Sequence, residues 1–225
     1  MDIQVKTCGS LQYILRYPKN FKETEKFPVL LYLHGSGTRG KALEEVLKTD
    51  AYAITAQHED FPFLMVGPMC PAGATWFDYM ADLKALVAEI SALPFADTGR
   101  FYGMGASMGG YGIWQLAMSI PETFAAIVPI CGGGMYWNAK RLINVGVWAF
   151  HGGQDKAVLT EESVKMVEKI NKLGGNAKLT IYPDNAHNAW TDTYSNPEVF
   201  QWLLSYTNQN DQSTDDVYTD AAKFG

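Results

Sequence analysis

Residues 28–34 read Pro-Val-Leu-Leu-Tyr-Leu-His, an apolar run without polar–apolar alternation. A strand with one wet face alternates, whereas an unbroken apolar strand is covered on both faces, as in a parallel sheet. Comparable β-branched and aromatic runs occupy residues 11–17, 63–67, 101–105, 125–130, 145–150 and 178–182. Longer stretches with helical periodicity lie between them, at residues 79–93, 108–120, 161–173 and 197–206, and the third stops at Gly174-Gly175. This alternation predicts an α/β fold in three layers, a mostly parallel central sheet with helices on both faces. A chain of 225 residues suits one domain, expected over residues 1–206, with no internal repeat and no interdomain linker. Residues 207–225 form a polar, acidic tail with too little apolar content to order itself.

The chemistry is concentrated at Gly105-Ala106-Ser107-Met108-Gly109, which follows an apolar strand and opens a helix through Tyr111, Trp114, Leu116 and Ala117. Alone, the pentapeptide could be a serine capping a helix after a glycine turn. In its strand–turn–helix setting it is the nucleophile elbow of an α/β-hydrolase, with Ser107 as nucleophile and the Met108 N–H turned toward a developing oxyanion. The turn is tight, so the positions two before and two after the serine must be small, as Gly105 and Gly109 are. Such an enzyme orders nucleophile, acid and histidine along the chain. After the run at 145–150 comes His151-Gly152-Gly153-Gln154-Asp155; after that at 178–182 comes Pro183-Asp184-Asn185-Ala186-His187. Chain order therefore selects His187 as base and Asp155 as its orienting acid, with Asp184 the alternative acid. Of the other three histidines, His34 is expected to shape a loop, His151 to pack or bond to backbone, and His58 to be solvated. The glycine-rich segment His34-Gly35-Ser36-Gly37-Thr38 follows a strand and offers the Ser36 N–H as the second oxyanion donor.

Aromatic residues crowd the loops near these motifs. Trp76, Trp137 and Trp190 are expected to contact substrate, suiting an aryl or sugar ester, although about half of the loop aromatics, Tyr111 especially, should be core. Lids in this fold usually insert after the strand that ends at Ile130; only residues 131–144 separate it from the next, so no lid domain and an open site are expected.

The net charge of −6 and pI near 5.2 argue against nucleic-acid or anionic-membrane partners, which call for clustered Lys and Arg. No apolar stretch approaches the roughly 20 residues of a membrane helix. The location expected is cytoplasmic, or secreted or periplasmic if a signal peptide has been removed. Cys8, Cys70 and Cys131 are too few and too scattered for a disulfide framework or a zinc site, so reduced buried thiols, no metal and no cofactor are expected.

The segments LYLHGSGTRG, GPMCPAGATW, YGMGASMGGYGIW, IVPICGGG, FHGGQDKAV and NAHNAW, spread from about residue 28 to 203, resemble the serine esterases around dienelactone hydrolase, the phospholipase/carboxylesterases and the feruloyl esterases, and more closely proteins labelled predicted peptidases. The resemblance implies hydrolysis of short-chain, aryl or carbohydrate-linked carboxylic esters through an acyl-enzyme. A peptidase or amidase using the same residues is the alternative, and a non-catalytic binding module with this fold a further one. One departure matters: dienelactone hydrolases use cysteine as nucleophile, and this chain has serine.

Overall fold

In a computed structural model, which describes residues 3–58 and 60–208, the apolar runs form one eight-stranded sheet. Its strands are β1 (Ile3–Cys8), β2 (Leu11–Arg16), β3 (Phe27–Leu33), β4 (Leu64–Pro68), β5 (Ala96–Ala106), β6 (Ala126–Ile130), β7 (Gly146–Gly152) and β8 (Ala177–Tyr182). They lie in the order β1-β2-β4-β3-β5-β6-β7-β8. The first two pairings, β1–β2 and β2–β4, are antiparallel and all others parallel. The parallel strands thus end along one edge, where the loops after β3, β5, β7 and β8 meet.

The lack of alternation in β3 now has a cause. Val29, Leu31 and Leu33 enter one core with residues of α2 (Met80–Ser91), α3 (Met108–Ser119) and α4 (Glu161–Lys172). Leu30 and Tyr32, pointing the other way as a strand's period of two requires, enter a second core with α1 (Asp50–Thr55), α5 (Trp190–Ser195) and α6 (Pro197–Leu204). The sheet is therefore the middle layer of three, as expected. Helix α2 buries Leu83, Leu86, Val87 and Ile90 at helical spacing. Each such side chain contributes about 1.5–3 kcal/mol by leaving water, and truncating Leu86 to alanine would cost about 2–5 kcal/mol.

Among the strands and α-helices, three are not marked in the sequence. β1 reads Ile-Gln-Val-Lys-Thr-Cys and exposes most of its side chains at the sheet edge, so it lacks the apolar run that marks the central strands. α1 and α5 have six residues each, too short to show a helical period. β5 begins at Ala96 rather than near 101: Ala96 and Asp97 pair with Phe27 and Pro28, and a register shift against β3 between Pro28 and Val29 admits residues 98–100. All three cysteines are free and buried. No helix among the described residues is long and apolar enough to cross a membrane. The tail expected over 207–225 lies, after its first two residues, outside the described residues.

Candidate active site

Ser107 joins β5 to α3 with φ 55° and ψ −118°, a conformation that costs a non-glycine residue about 1–3 kcal/mol and persists only where its surroundings enforce it. Two neighbours do so. The Ser107 N–H donates to the Ile130 carbonyl of β6 at 2.8 Å. α3 also starts hard against the end of β3: a Cβ at Gly109 would sit 1.8 Å from the Leu33 carbonyl oxygen, and one at Gly105 would sit 2.4 Å from the Gly109 oxygen. Neither position has room for a side chain, so the two glycines allow the turn that presents Ser107 Oγ.

His187 follows β8, and its Nε2 lies 2.8 Å from Ser107 Oγ. Its Nδ1 lies 2.6 Å from Asp155 Oδ2. A carboxylate only accepts, so Nδ1 carries the proton and Nε2 faces the serine with its lone pair. The His187 side chain is 28 % exposed while that of Asp155 is fully buried, leaving the imidazole edge open to a ligand and its carboxylate partner dry. Asp155 follows β7. Burial alone would raise its pKa, but hydrogen bonds from His187 and from the Val158 and Ala157 amides outweigh it and hold the carboxyl below its ordinary range. The alternative acid, Asp184, is exposed and makes no bond to His187.

The remaining histidines behave as supports. His151 is buried, with Nδ1 2.7 Å from Ser163 Oγ and Nε2 3.0 Å from the Val158 carbonyl and 3.3 Å from Asp155 Oδ2. Facing two acceptors, Nε2 carries a proton, so His151 is a second imidazole donor on the carboxylate that holds His187. Cys131, His151 and Asp155 have donor atoms within 4.8 Å of one another. With Nε2 protonated and Asp155 already accepting four bonds, this group reads as a hydrogen-bond set, not a cation cage. His34, at the end of β3, accepts from the Cys70 N–H through Nε2 at 3.1 Å and donates from Nδ1 to the Gly35 carbonyl at 2.8 Å. Burial lowers its pKa to about 4, so it is neutral near pH 7 and fixes the start of the glycine loop. His58 is exposed, as expected.

That loop passes directly over the serine: a Cβ at Gly35 would lie 3.6 Å from Ser107 Cβ. Among the described residues, no backbone carbonyl takes up the N–H of Ser36 or of Met108, so both are free to serve a ligand. Gly35, Ser36, Gly37 and Thr38 form one wall of a cleft of about 280 Å³ at Ser107 and His187, closed by Tyr32, Thr49, Asp50, Ala106, Trp190 and Tyr194.

Of the three tryptophans expected against substrate, the cleft contains one. Trp190 lines it, edge-on to His187 at 5.3 Å. Trp76 is fully buried, and its Nε1–H donates to the His34 carbonyl at 2.9 Å; it braces the loop from beneath, which corrects its expected role. Trp137 is 68 % exposed beside Tyr136 on a short 3-10 helix, Tyr136–Leu142, and does not line the cleft. Tyr32, Thr49, Asp50 and Tyr194 went unrecognised. Only Tyr32, at the carboxyl end of a buried strand, carried a positional signal.

Comparison with known proteins places this arrangement. A thermostable esterase of known structure is 28 % identical, with a TM-score of 0.78 over 92 % of this chain and 63 % of its own. Est1E from Butyrivibrio proteoclasticus shares the fold at 16 % identity and a TM-score of 0.70, over 90 % of this chain and 99 % of its own. Among curated sequences, dipeptidyl-peptidase 5 of Schizosaccharomyces pombe is 22 % identical over 89 % of this chain but 36 % of its own length, and that of Porphyromonas gingivalis 20 % identical over 76 % and 32 %. The chain thus spans about a third of the curated relatives it matches. The profile of the dienelactone hydrolase family matches residues 75–224, and with the sheet order above, this chain is a hydrolase with the α/β-hydrolase fold that belongs to the dienelactone hydrolase family.

Proposed function

We propose that the chain is a serine hydrolase of carboxylic esters, in which Ser107 is the nucleophile, His187 its general base and Asp155 the acid that orients the base. The observation that carries this reading is the unbroken contact from Ser107 Oγ to His187 Nε2, and from His187 Nδ1 to Asp155 Oδ2, at 2.8 and 2.6 Å. In this scheme His187 Nε2 takes the hydroxyl proton as Oγ attacks the ester carbon. The oxyanion accepts from the Ser36 and Met108 N–H groups, and the Asp155 carboxylate stabilises the imidazolium. His187 then returns the proton to the departing alcohol, leaving Ser107 acylated. Water, deprotonated by the same imidazole, attacks the acyl carbon, and the serine regains its proton as the acid leaves.

Likeness to a thermostable esterase supports an ester substrate. The dipeptidyl-peptidase 5 relatives favour a second reading, cleavage of a peptide bond by the same residues. A cleft of about 280 Å³ suits short acyl groups, since a deep tunnel would gain about 0.8 kcal/mol for every methylene buried. The test is hydrolysis of nitrophenyl acetate, butanoate and decanoate beside a dipeptidyl anilide. Ester turnover, greatest for acetate to butanoate and absent in Ser107→Ala, is expected; turnover of the anilide alone would install the peptidase reading.

A further inference from the structure

The Ser107 cleft has a carboxylic acid in its wall. Asp50, at the start of α1, lines the cleft, and among the described residues no lysine or arginine does. Of the cations near in sequence, Lys48 pairs with Glu45 and Arg39 donates to the Ala74 carbonyl, while Lys41 is exposed and does not line the cleft. Asp50 Oδ2 accepts from Thr191 Oγ1 at 2.6 Å, while Oδ1 meets no partner among the described residues. The same wall holds two phenols, Tyr32 and Tyr194, both buried. Burial pushes the Tyr32 pKa up to about 12 and that of Tyr194 well above its ordinary value, so both keep their protons. The Tyr194 hydroxyl is fully buried and faces that of Tyr32, so the pair braces the wall behind Asp50.

We propose that Asp50 forms a polar subsite that selects substrates carrying a hydrogen-bond donor, an amine or a hydroxyl, and rejects those carrying a carboxylate. The proposal rests on Ser107 being the nucleophile of this cleft. Its basis is charge and hydrogen-bond complementarity. A donor in the subsite meets the open oxygen of Asp50, and a carboxylate meets only repulsion from it, with no cation among the described lining residues to offset it. At a separation of about 5 Å, in a half-open site of intermediate effective dielectric, one charge shifts affinity about tenfold in either direction.

The test uses phenylboronic acids, which add reversibly to a serine Oγ, bearing meta methyl, hydroxymethyl, aminomethyl or carboxyl groups. Inhibition constants are read against nitrophenyl acetate. The aminomethyl compound should bind about tenfold tighter than the methyl one, the hydroxymethyl should fall between them, and the carboxyl should bind about tenfold weaker. In Asp50→Asn the spread from aminomethyl to carboxyl should collapse to about threefold or less. Thr191→Val, which removes the tether but keeps the charge, should preserve the spread; a collapse there equal to that in Asp50→Asn would make Asp50 a mere anchor for α5. A flat series in the wild type, or a spread that survives Asp50→Asn, overturns the subsite while leaving the esterase reading intact. Absence of Ser107-dependent hydrolysis of nitrophenyl acetate would instead overturn the esterase reading.

Discussion

His34 ties the stability of the site to pH, and the size of the effect follows from its surroundings. Its ring is fully buried, accepting from the Cys70 amide and donating to the Gly35 carbonyl. Protonating Nε2 would abolish the first bond and bury an unpaired charge, so burial lowers the pKa from 6.5 to about 4. A depressed folded-state pKa means that the contribution is whole above 6.5 and is lost as pH falls toward 4. Within that window the unfolded chain binds a proton that the folded chain refuses, and stability declines by about 1.4 kcal/mol per pH unit, or about 3 kcal/mol in all. Urea unfolding followed by tryptophan fluorescence at pH 7.5 and pH 4 measures the decline, and His34→Gln isolates the share of His34 because glutamine does not titrate. The variant starts less stable, having lost two hydrogen bonds, but should fall by about 3 kcal/mol less across the window than the wild type. Equal declines in both proteins would mean that His34 does not set the pH dependence. Asp155 does not confound the comparison: its carboxyl is held below its ordinary range, so its contribution is lost only at lower pH, and it is present in both proteins.

Asp155→Asn should lower kcat by about three to four orders of magnitude, because the amide no longer holds the His187 tautomer, whereas Asp184→Asn should change kcat by less than about threefold; steady-state kinetics of the pair decides between them. Gly109→Ala should fail to give stable folded protein, since its Cβ would overlap the Leu33 carbonyl, a clash beyond the usual overpacking cost of about 1–3 kcal/mol; circular dichroism and thermal melting report it. Trp190→Ala should raise KM for an aryl ester more than for a simple acetate, by up to about tenfold, with little change in Tm. Trp76→Ala should show the reverse, a loss of about 3–5 kcal/mol of stability, from which any fall in activity follows.

The strands whose burial is total are the most legible in the sequence. β3, β6 and β7 are fully buried, so their residues report two apolar faces at once. Ser107 and Asp155 follow strands whose carboxyl ends are buried, whereas His187 follows β8, a partly exposed strand legible from its β-branched and aromatic residues. What stayed hidden depended on packing without period. Trp76 sits in a loop, where nothing in the sequence separates an indole at a rim from one tucked under a histidine. Asp50 opens a six-residue helix and reads as an ordinary first-turn acid; only the folded chain brings it to the cleft beside Tyr32. The second imidazole on Asp155 was half legible. His151 and Asp155 are neighbours in sequence, but that His151 turns its Nε2 onto the carboxylate depends on the Val158 carbonyl and Ser163.

Ser107 is expected to carry a covalent acyl group during turnover. Mixing the enzyme with nitrophenyl acetate, quenching in acid within the first turnovers and mapping the peptides by mass tests it directly. One acetyl group should appear on the peptide that carries Ser107, accumulating in His187→Ala only slowly and in Ser107→Ala not at all. Hydrolysis at full rate in Ser107→Ala, or an acetyl group turning over on another residue, would contradict it.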